Sequence, residues 1–472
     1  MPEAGDPEGI SVGAAPHCDA KSLQGADSCY SDRTMNRRLS AFGIGLAAVS
    51  VHLWLAVVAR LGGPRVLWGD EKTYLSSAVA VLQGDPSWWP APLWPPLYPQ
   101  FLAGVLAVSG HNPVGITIVQ TVLLFIVAAI FGDLVRRWTG ARVAGISAFL
   151  MMAGFPPLAA FSRFLWPEVL HLVLVVAAVW VLVVRRESPL WLALAGISLG
   201  LALLTKSILG PFVPVLLGAA FIGDRGPRRV LRLVVCVAAI AVVIGPVMGL
   251  QYRRVGLPVI ADSSAFNLWV GLNDRGMKSF EDSFVAEAYA EYLAWEGTFS
   301  DRNARAYRQS LALIRERGLG QVLKVQFRRQ YVRLFDKDCY LTEQIPGGAA
   351  VAQRSGFVSL GPRVSAGIRS VSYGTYALLL LTAPLGFLVW PFAQRRWPRV
   401  LLLFFLYNLA LFLVLHVKSR YRIQFLPVFF LGSSAAIAWF EAGFAGRVSL
   451  RPVIRRVAVA GVLSAILLWL AF

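Results

Sequence analysis

Asp70 and Glu71 stand side by side in WGDEKTYLSSAVAVLQGD, at the end of a long apolar run. Arg163, Glu168, Lys206, Lys418, Arg420 and Arg422 occupy similar places, each in a connection between apolar runs. A carboxylate within hydrogen-bond reach of a hydroxyl can take its proton. Cations can hold a phosphate, Arg through paired hydrogen bonds and Lys as a point charge. Charge at the centre of a membrane helix costs about 2.5–3.5 kcal/mol per residue, so these residues belong at the membrane boundary. Together they would join a carboxylate base to an anionic group at a lipid surface. Plainer uses exist for each. Asp70 would cap a helix, Glu71 would complement its dipole, and Arg163 would pair with Glu168. Lys206 would snorkel to the interface, and the KSRYR run would anchor to headgroups.

The elements that position these residues are membrane spans. Of 472 residues, 57% are hydrophobic and only 15% charged, against a soluble norm of about 45–50% and 25%. That excludes a soluble globular fold for most of the chain and predicts an all-α polytopic membrane protein. Apolar runs near 40–60, 112–135, 143–160, 167–184, 190–205, 207–223, 230–250, 373–393, 400–416, 424–441 and 457–472 make about eleven spans. The net charge of +19 does not point to nucleic acid, because the basic residues are scattered among the connections. Arg37/Arg38, Arg136/Arg137/Arg142, Arg185/Arg186, Arg225/Arg228/Arg229, Arg395/Arg396/Arg399 and Arg447/Arg451/Arg455/Arg456 fall in alternate connections. The positive-inside rule then puts the N-terminus in the cytoplasm and the C-terminus outside.

Four regions follow. Residues 1–38 are polar and aperiodic and read as a disordered cytoplasmic tail. Residues 39–250 form a transmembrane bundle with a first external loop at 61–111. Residues 251–372 make a long extracytoplasmic loop with interfacial helices near 303–317 and 320–336, and 373–472 hold the C-terminal spans. In the first loop, Tyr74, Leu75, Ala78, Val79 and Leu82 recur at helical spacing between Asp70 at the N-cap and Gly84 past the end. This predicts an amphipathic surface helix lying apolar face down. Trp88, Trp89, Trp94 and Tyr98 suit the headgroup layer.

These segments resemble a family. WGDEKTYLSSAVAVLQGD followed by PPLYPQFLAG is similar to the first external loop of membrane glycosyltransferases with the GT-C fold, a group that includes protein O-mannosyltransferases and lipid A aminoarabinose transferases. FSRFLWPEVLHLVLVVAAVW, GLALLTKSILGPFVPVLL, SAFNLWVGLND and SRYRIQFLPVFFLG resemble later segments of the same proteins, in the same order. The resemblance runs from about residue 40 to 440. It implies a GT-C-like bundle and an inverting transfer of a sugar from a polyprenyl-phosphate carrier. The acceptor would be a glycolipid, a cell-wall polysaccharide or a protein on the extracytoplasmic face. It further implies that Asp70 is the catalytic carboxylate, with Glu71 beside it. Lys206, Arg163, Arg420 and Arg422 become the donor-phosphate ligands, with Tyr74, Glu168 and Tyr421 in support. Leu93-Trp94 precede Pro95-Pro96 where aminoarabinose transferases carry Glu-Lys, which argues against that donor. Nothing in 251–372 resembles a β-trefoil, and no WWDYG motif is present.

Cys18, Cys29, Cys236 and Cys339 form no paired spacing and no His lies in a metal-ligand motif, so neither a disulfide framework nor a metal or other cofactor is expected. The preference for Arg over Lys fits a GC-rich bacterial genome and hence a bacterial inner (plasma) membrane. Two other function classes compete: a lipid or polysaccharide transporter, and a non-catalytic subunit of an envelope assembly complex. A transporter would place its site near the midplane of broken helices, with repeated halves.

Overall fold

Long apolar segments in lipid must satisfy their backbone internally, and helices do so. The computed structural model describes residues 45–89, 92–222, 226–273, 282–390, 392, 395–444 and 454–472. The predicted tail at 1–38 lies outside them, as do Arg225, Arg447 and Arg451. Ala48–Phe472 forms one compact unit.

The helices are α1 Gly45–Leu61, α2 Asp70–Leu82, α3 Leu97–Val108, α4 Pro113–Thr139, α5 Arg142–Gly154, α6 Pro156–Ala159, α7 Glu168–Val184 and α8 Pro189–Thr205. They continue with α9 Val213–Phe221, α10 Pro227–Val255, α11 Ser264–Asn273, α12 Asp282–Ala294, α13 Phe299–Arg317 and α14 Leu319–Gln326. Three one-turn pieces, α15 Val332–Phe335, α16 Tyr340–Glu343 and α17 Ala349–Ala352, lead to α18 Pro362–Val389. α19 Arg396–Phe412, α20 Leu426–Phe444 and α21 Ile454–Ala471 complete the chain.

Among the described residues each apolar run falls on helical structure, although the 143–160 run is broken at Phe155 and the 207–223 run opens as a 3₁₀ turn. By length and composition, five of the described helices can each cross a membrane, and a sixth span arises if α5 and the bent continuation Pro156–Ser162 count as one. α1, α7, α8 and Ser207–Phe221 are shorter apolar helices. The last group of spans begins at Pro362 rather than at 373. In the long loop, α13 and α14 fall where helices were expected, although a π turn at Phe327–Tyr331 interrupts the second.

Helix pairs in lipid gain little from apolar burial and depend on close packing, which small residues allow. α18 lies along α20, α8 along α10, and α4 along α5. A Cβ added at Gly386 would collide with the carbonyl oxygen of Gly432, so α18 and α20 cross backbone against backbone. We expect Gly386→Val to force these helices apart and to abolish recovery of monodisperse protein in size-exclusion chromatography. Gly218→Ala, where a Cβ meets nothing within 4 Å, should elute as the parent does.

The first loop departs from expectation in a way that matters for the site. α2 begins at Asp70 itself: its N-cap is Gly69, at φ 58°, and no side chain caps it. Tyr74 and Ala78 on its inner face are buried in protein rather than laid on lipid. Tyr98 is likewise a core residue, 1% exposed, and donates to Gln120 Oε1 at 3.1 Å.

Candidate active site

Glu71 and Asp70 part company at the first turn of α2. Glu71 is fully buried, and its carboxylate is saturated. Arg65 donates to both oxygens at 2.6 Å, and the backbone N–H groups of Trp68 and Leu165 donate at 3.1 and 2.9 Å. Arg65 also donates to Gln344 Oε1 at 2.7 Å, while Val66 and Gly356 exchange backbone hydrogen bonds. The start of α2, the connection before α7 and the end of the long loop are thus tied into one knot. Glu71 has no lone pair left for a reacting proton. Its carboxylate is turned into this knot and away from the side that Asp70 faces.

Asp70 turns the other way. Its Oδ2 accepts from Arg420 Nη2 at 2.9 Å, and its side chain keeps 35% exposure. Arg420 is 8% exposed, its guanidinium carbon 3.6 Å from the centroid of the Trp166 ring. Its Nε and Nη1 are buried with no hydrogen-bond partner among the described residues. A desolvated guanidinium with two donors to spare can receive an anion.

A second ion pair lies in the same cleft. Lys206 Nζ meets Glu168 Oε1 at 2.8 Å, Glu168 being 2% exposed. The sequence breaks locally to place this pair: α8 ends at Thr205, Lys206 is extended (φ −148°, ψ 107°), and a 3₁₀ turn starts at Ser207. Glu168 opens α7 directly after Pro167. α20 is prefaced in the same manner, by extended Lys418 and a 3₁₀ turn over Ser419–Phe425.

The cleft so formed encloses about 1060 Å³, part of it open to solvent. Asp70, Tyr74, Glu168, Lys206, Arg420 and Tyr421 line it, all expected from the sequence. So do Trp94, Thr205, Asn267, His416, Lys418 and Gln424. Lys418 stands in the KSRYR run and was legible as a cation, whereas Asn267 and His416 carried no signal beyond their polarity. Three cations against two carboxylates leave an excess of one positive charge, His416 aside, which suits a monoanionic phosphodiester. Burial raises the Tyr74 hydroxyl well above its ordinary range and the Asp70 charge adds to this, which keeps the phenol neutral.

Two expected phosphate ligands are not brought to this cleft. Arg163 donates to the carbonyl of His52 at 3.3 Å, against the first span. Arg422 is 2% exposed and donates to the carbonyls of Asp336 and Asp338, with Tyr376 beneath it at 4.4 Å. Both are held by backbone oxygens. Among the described residues, no three His, Cys, Asp or Glu side chains are grouped to hold a metal ion.

A second cavity, of about 640 Å³ and almost wholly apolar, lies among α4, α7, α9 and α19. Gln424 lines both spaces. Phe131, Trp138, Val176, Phe212 and Trp397 line the apolar one, which reaches towards the arginine-bearing ends of α4 and α19.

Residues 94–249 match the family described as dolichyl-phosphate-mannose-protein mannosyltransferase. The matched stretch holds Glu168 and Lys206 but stops short of Arg420. No curated protein and no solved structure matches the chain. Over that stretch, which is less than half of its length, the chain is similar to a family of membrane mannosyltransferases, and its described helices include apolar ones long enough to cross a membrane.

Proposed function

We propose that this protein transfers a single sugar, with inversion, from a polyprenyl phosphate to a hydroxyl acceptor at the extracytoplasmic face of a bacterial plasma membrane. The observation that carries the reading is the cleft itself, where an exposed carboxylate, Asp70, faces buried cations at span ends. The arginine clusters at Arg136/Arg137, Arg185/Arg186 and Arg396/Arg399 stand at the opposite ends of α4, α7 and α19, which favours this sidedness.

In the reaction, the acceptor oxygen attacks the anomeric carbon as its proton passes to Asp70. The bond from that carbon to the phosphate oxygen breaks, and polyprenyl phosphate leaves with the electron pair. Lys206 and Arg420 stabilise the charge that grows on the leaving phosphate, with Lys418 alongside, so no acid is required. The apolar cavity suits the first prenyl units, because Gln424 lines both it and the cleft. The matched family's description names mannose on dolichyl phosphate and a protein acceptor. We take mannose as the first donor to try, and a glycolipid, cell-wall polysaccharide or protein as acceptor.

The test uses purified protein in native lipid extract with a panel of polyprenyl-phosphate sugars, followed by release of polyprenyl phosphate. Release with one donor is the expected result. No release with any donor, together with movement of labelled lipid between leaflets, would replace this reading by a transporter. Lys206→Met should lower kcat about 10²-fold by removing one charge from the developing phosphate, a loss read in the same assay.

A further inference from the structure

Between α19 and the 3₁₀ turn at Ser419–Phe425 the chain runs through His416, Val417 and Lys418 without regular structure. All three are buried, Val417 fully. A buried segment with no helix or sheet of its own must find partners elsewhere for its backbone N–H groups. It finds them in the long loop. His416 N–H donates to the carbonyl of Asn267 at 2.9 Å, and Val417 N–H donates to Gln330 Oε1 at 3.0 Å.

Gln330 is itself fully buried, and both ends of its amide are engaged. Its Nε2 donates to Gln326 Oε1 at 3.1 Å and, at 3.4 Å, to the carbonyl of Gly271 in α11. Gln326 Nε2 donates to the same carbonyl at 2.8 Å. The amide therefore has one orientation, since turning it would set N–H against N–H at Val417. Gln330 lies in the π turn Phe327–Tyr331, and Tyr331 pins that turn to the carbonyl of Leu409 in α19 at 2.8 Å. Such turns are rare and collect at functional sites. Gly271 in turn admits the segment, because a Cβ there would come 2.7 Å from the His416 nitrogen.

Lys418 follows Val417 directly and Arg420 comes two residues later; both line the cleft together with Asn267. On the reading of this cleft as a site of glycosyl transfer, we propose that Gln330 is its positioning residue. By holding Val417, it sets where Lys418 and Arg420 stand against the donor phosphate. Gln330 does not line the cleft, so its influence passes through one backbone N–H. A misplacement of about 1 Å can cost about 10²-fold in rate, which is why so small a tether matters.

Hydrogen exchange followed by mass spectrometry, on the full chain in micelles, reads the tether without any substrate. Gln330→Met keeps the length of the side chain and loses its hydrogen bonds. In that variant, peptides spanning 413–418 should exchange about tenfold faster than in the wild type. Gln120→Met makes the same change at an equally buried amide, bonded to Tyr98 and to the connection before α7, and should leave those peptides as they were. Release of polyprenyl phosphate reads the consequence. Gln330→Met should lower kcat about tenfold with the donor KM within about threefold, because the phosphate charge grows only in the transition state. Lys418→Met should cost about tenfold in the wild type but less than about threefold in the Gln330→Met background, since a displaced cation has less to lose. A residue that merely supported the fold would leave the two costs multiplicative. Unchanged exchange in Gln330→Met would overturn the proposal, and so would multiplicative costs. If the wild type releases no polyprenyl phosphate with any donor, the glycosyl-transfer reading fails, and the exchange result alone decides whether Gln330 holds the segment.

Discussion

Asp70→Asn should reduce sugar transfer by about 10²–10⁴-fold, the contribution expected of a positioned general base, while the protein still inserts and folds. The amide nearly matches the carboxylate in shape and still offers Arg420 an acceptor, so the wall of the cleft keeps its form. What it cannot do is take the acceptor proton. Asp70 is 35% exposed but its partner Arg420 only 9% in its side chain, so losing the counter-charge should lower the melting temperature, though by less than at a pair buried on both sides. Single-turnover assays with the donor loaded will separate the two effects, since the chemical step should slow and donor binding should hold or tighten. Transfer within threefold of wild type would remove Asp70 from the reaction and direct attention to Glu168, the other carboxylate in the cleft.

Glu71→Gln, one residue away, should behave in the opposite manner. Removing one member of a buried ion pair typically costs about 3–5 kcal/mol, because the remaining charge stays buried without compensation. Here Arg65, 10% exposed in its side chain, would be left facing a neutral amide. That amide accepts at one oxygen only, so two of the four hydrogen bonds to Glu71 are lost. We expect a lower melting temperature and poor recovery from detergent extracts. Protein that does fold should keep a measurable rate, because Glu71 does not line the cleft. Arg65→Lys should recover part of the stability and not the whole, since an ammonium cannot bond both carboxylate oxygens in the plane. A Glu71→Gln protein as stable as its parent but inactive would show that Glu71 acts in the chemistry.

These contrasting expectations for neighbours mark the limit of what the sequence discloses. That Asp70, Glu168, Lys206, Lys418 and Arg420 come together followed from charge placed at the ends of apolar runs, and they line one cleft. Which atoms face the cleft did not follow. Successive residues on an α-helix point about 100° apart, so Asp70 and Glu71 cannot both face one cavity. On the 3₁₀ turn at Ser419–Phe425 each step is about 120°, so Arg422 points away from Arg420 and into carbonyls of the long loop. Arg163 ends another such turn, over Ala160–Ser162. Burial of Tyr98 and of one face of α2 was hidden for a different reason. An amphipathic pattern is the same whether its apolar side meets lipid or protein, and only the tertiary fold decides between them.

The pairing of Asp70 with Arg420 spans 350 positions of the chain. At a synthesis rate of about 5–20 residues per second, roughly 20–70 s separate the appearance of the two side chains at the ribosome. Throughout that interval the carboxylate has been made but its guanidinium partner has not. The ion pair that shapes the cleft wall therefore cannot close until Arg420 has been made, long after Asp70 has left the ribosome.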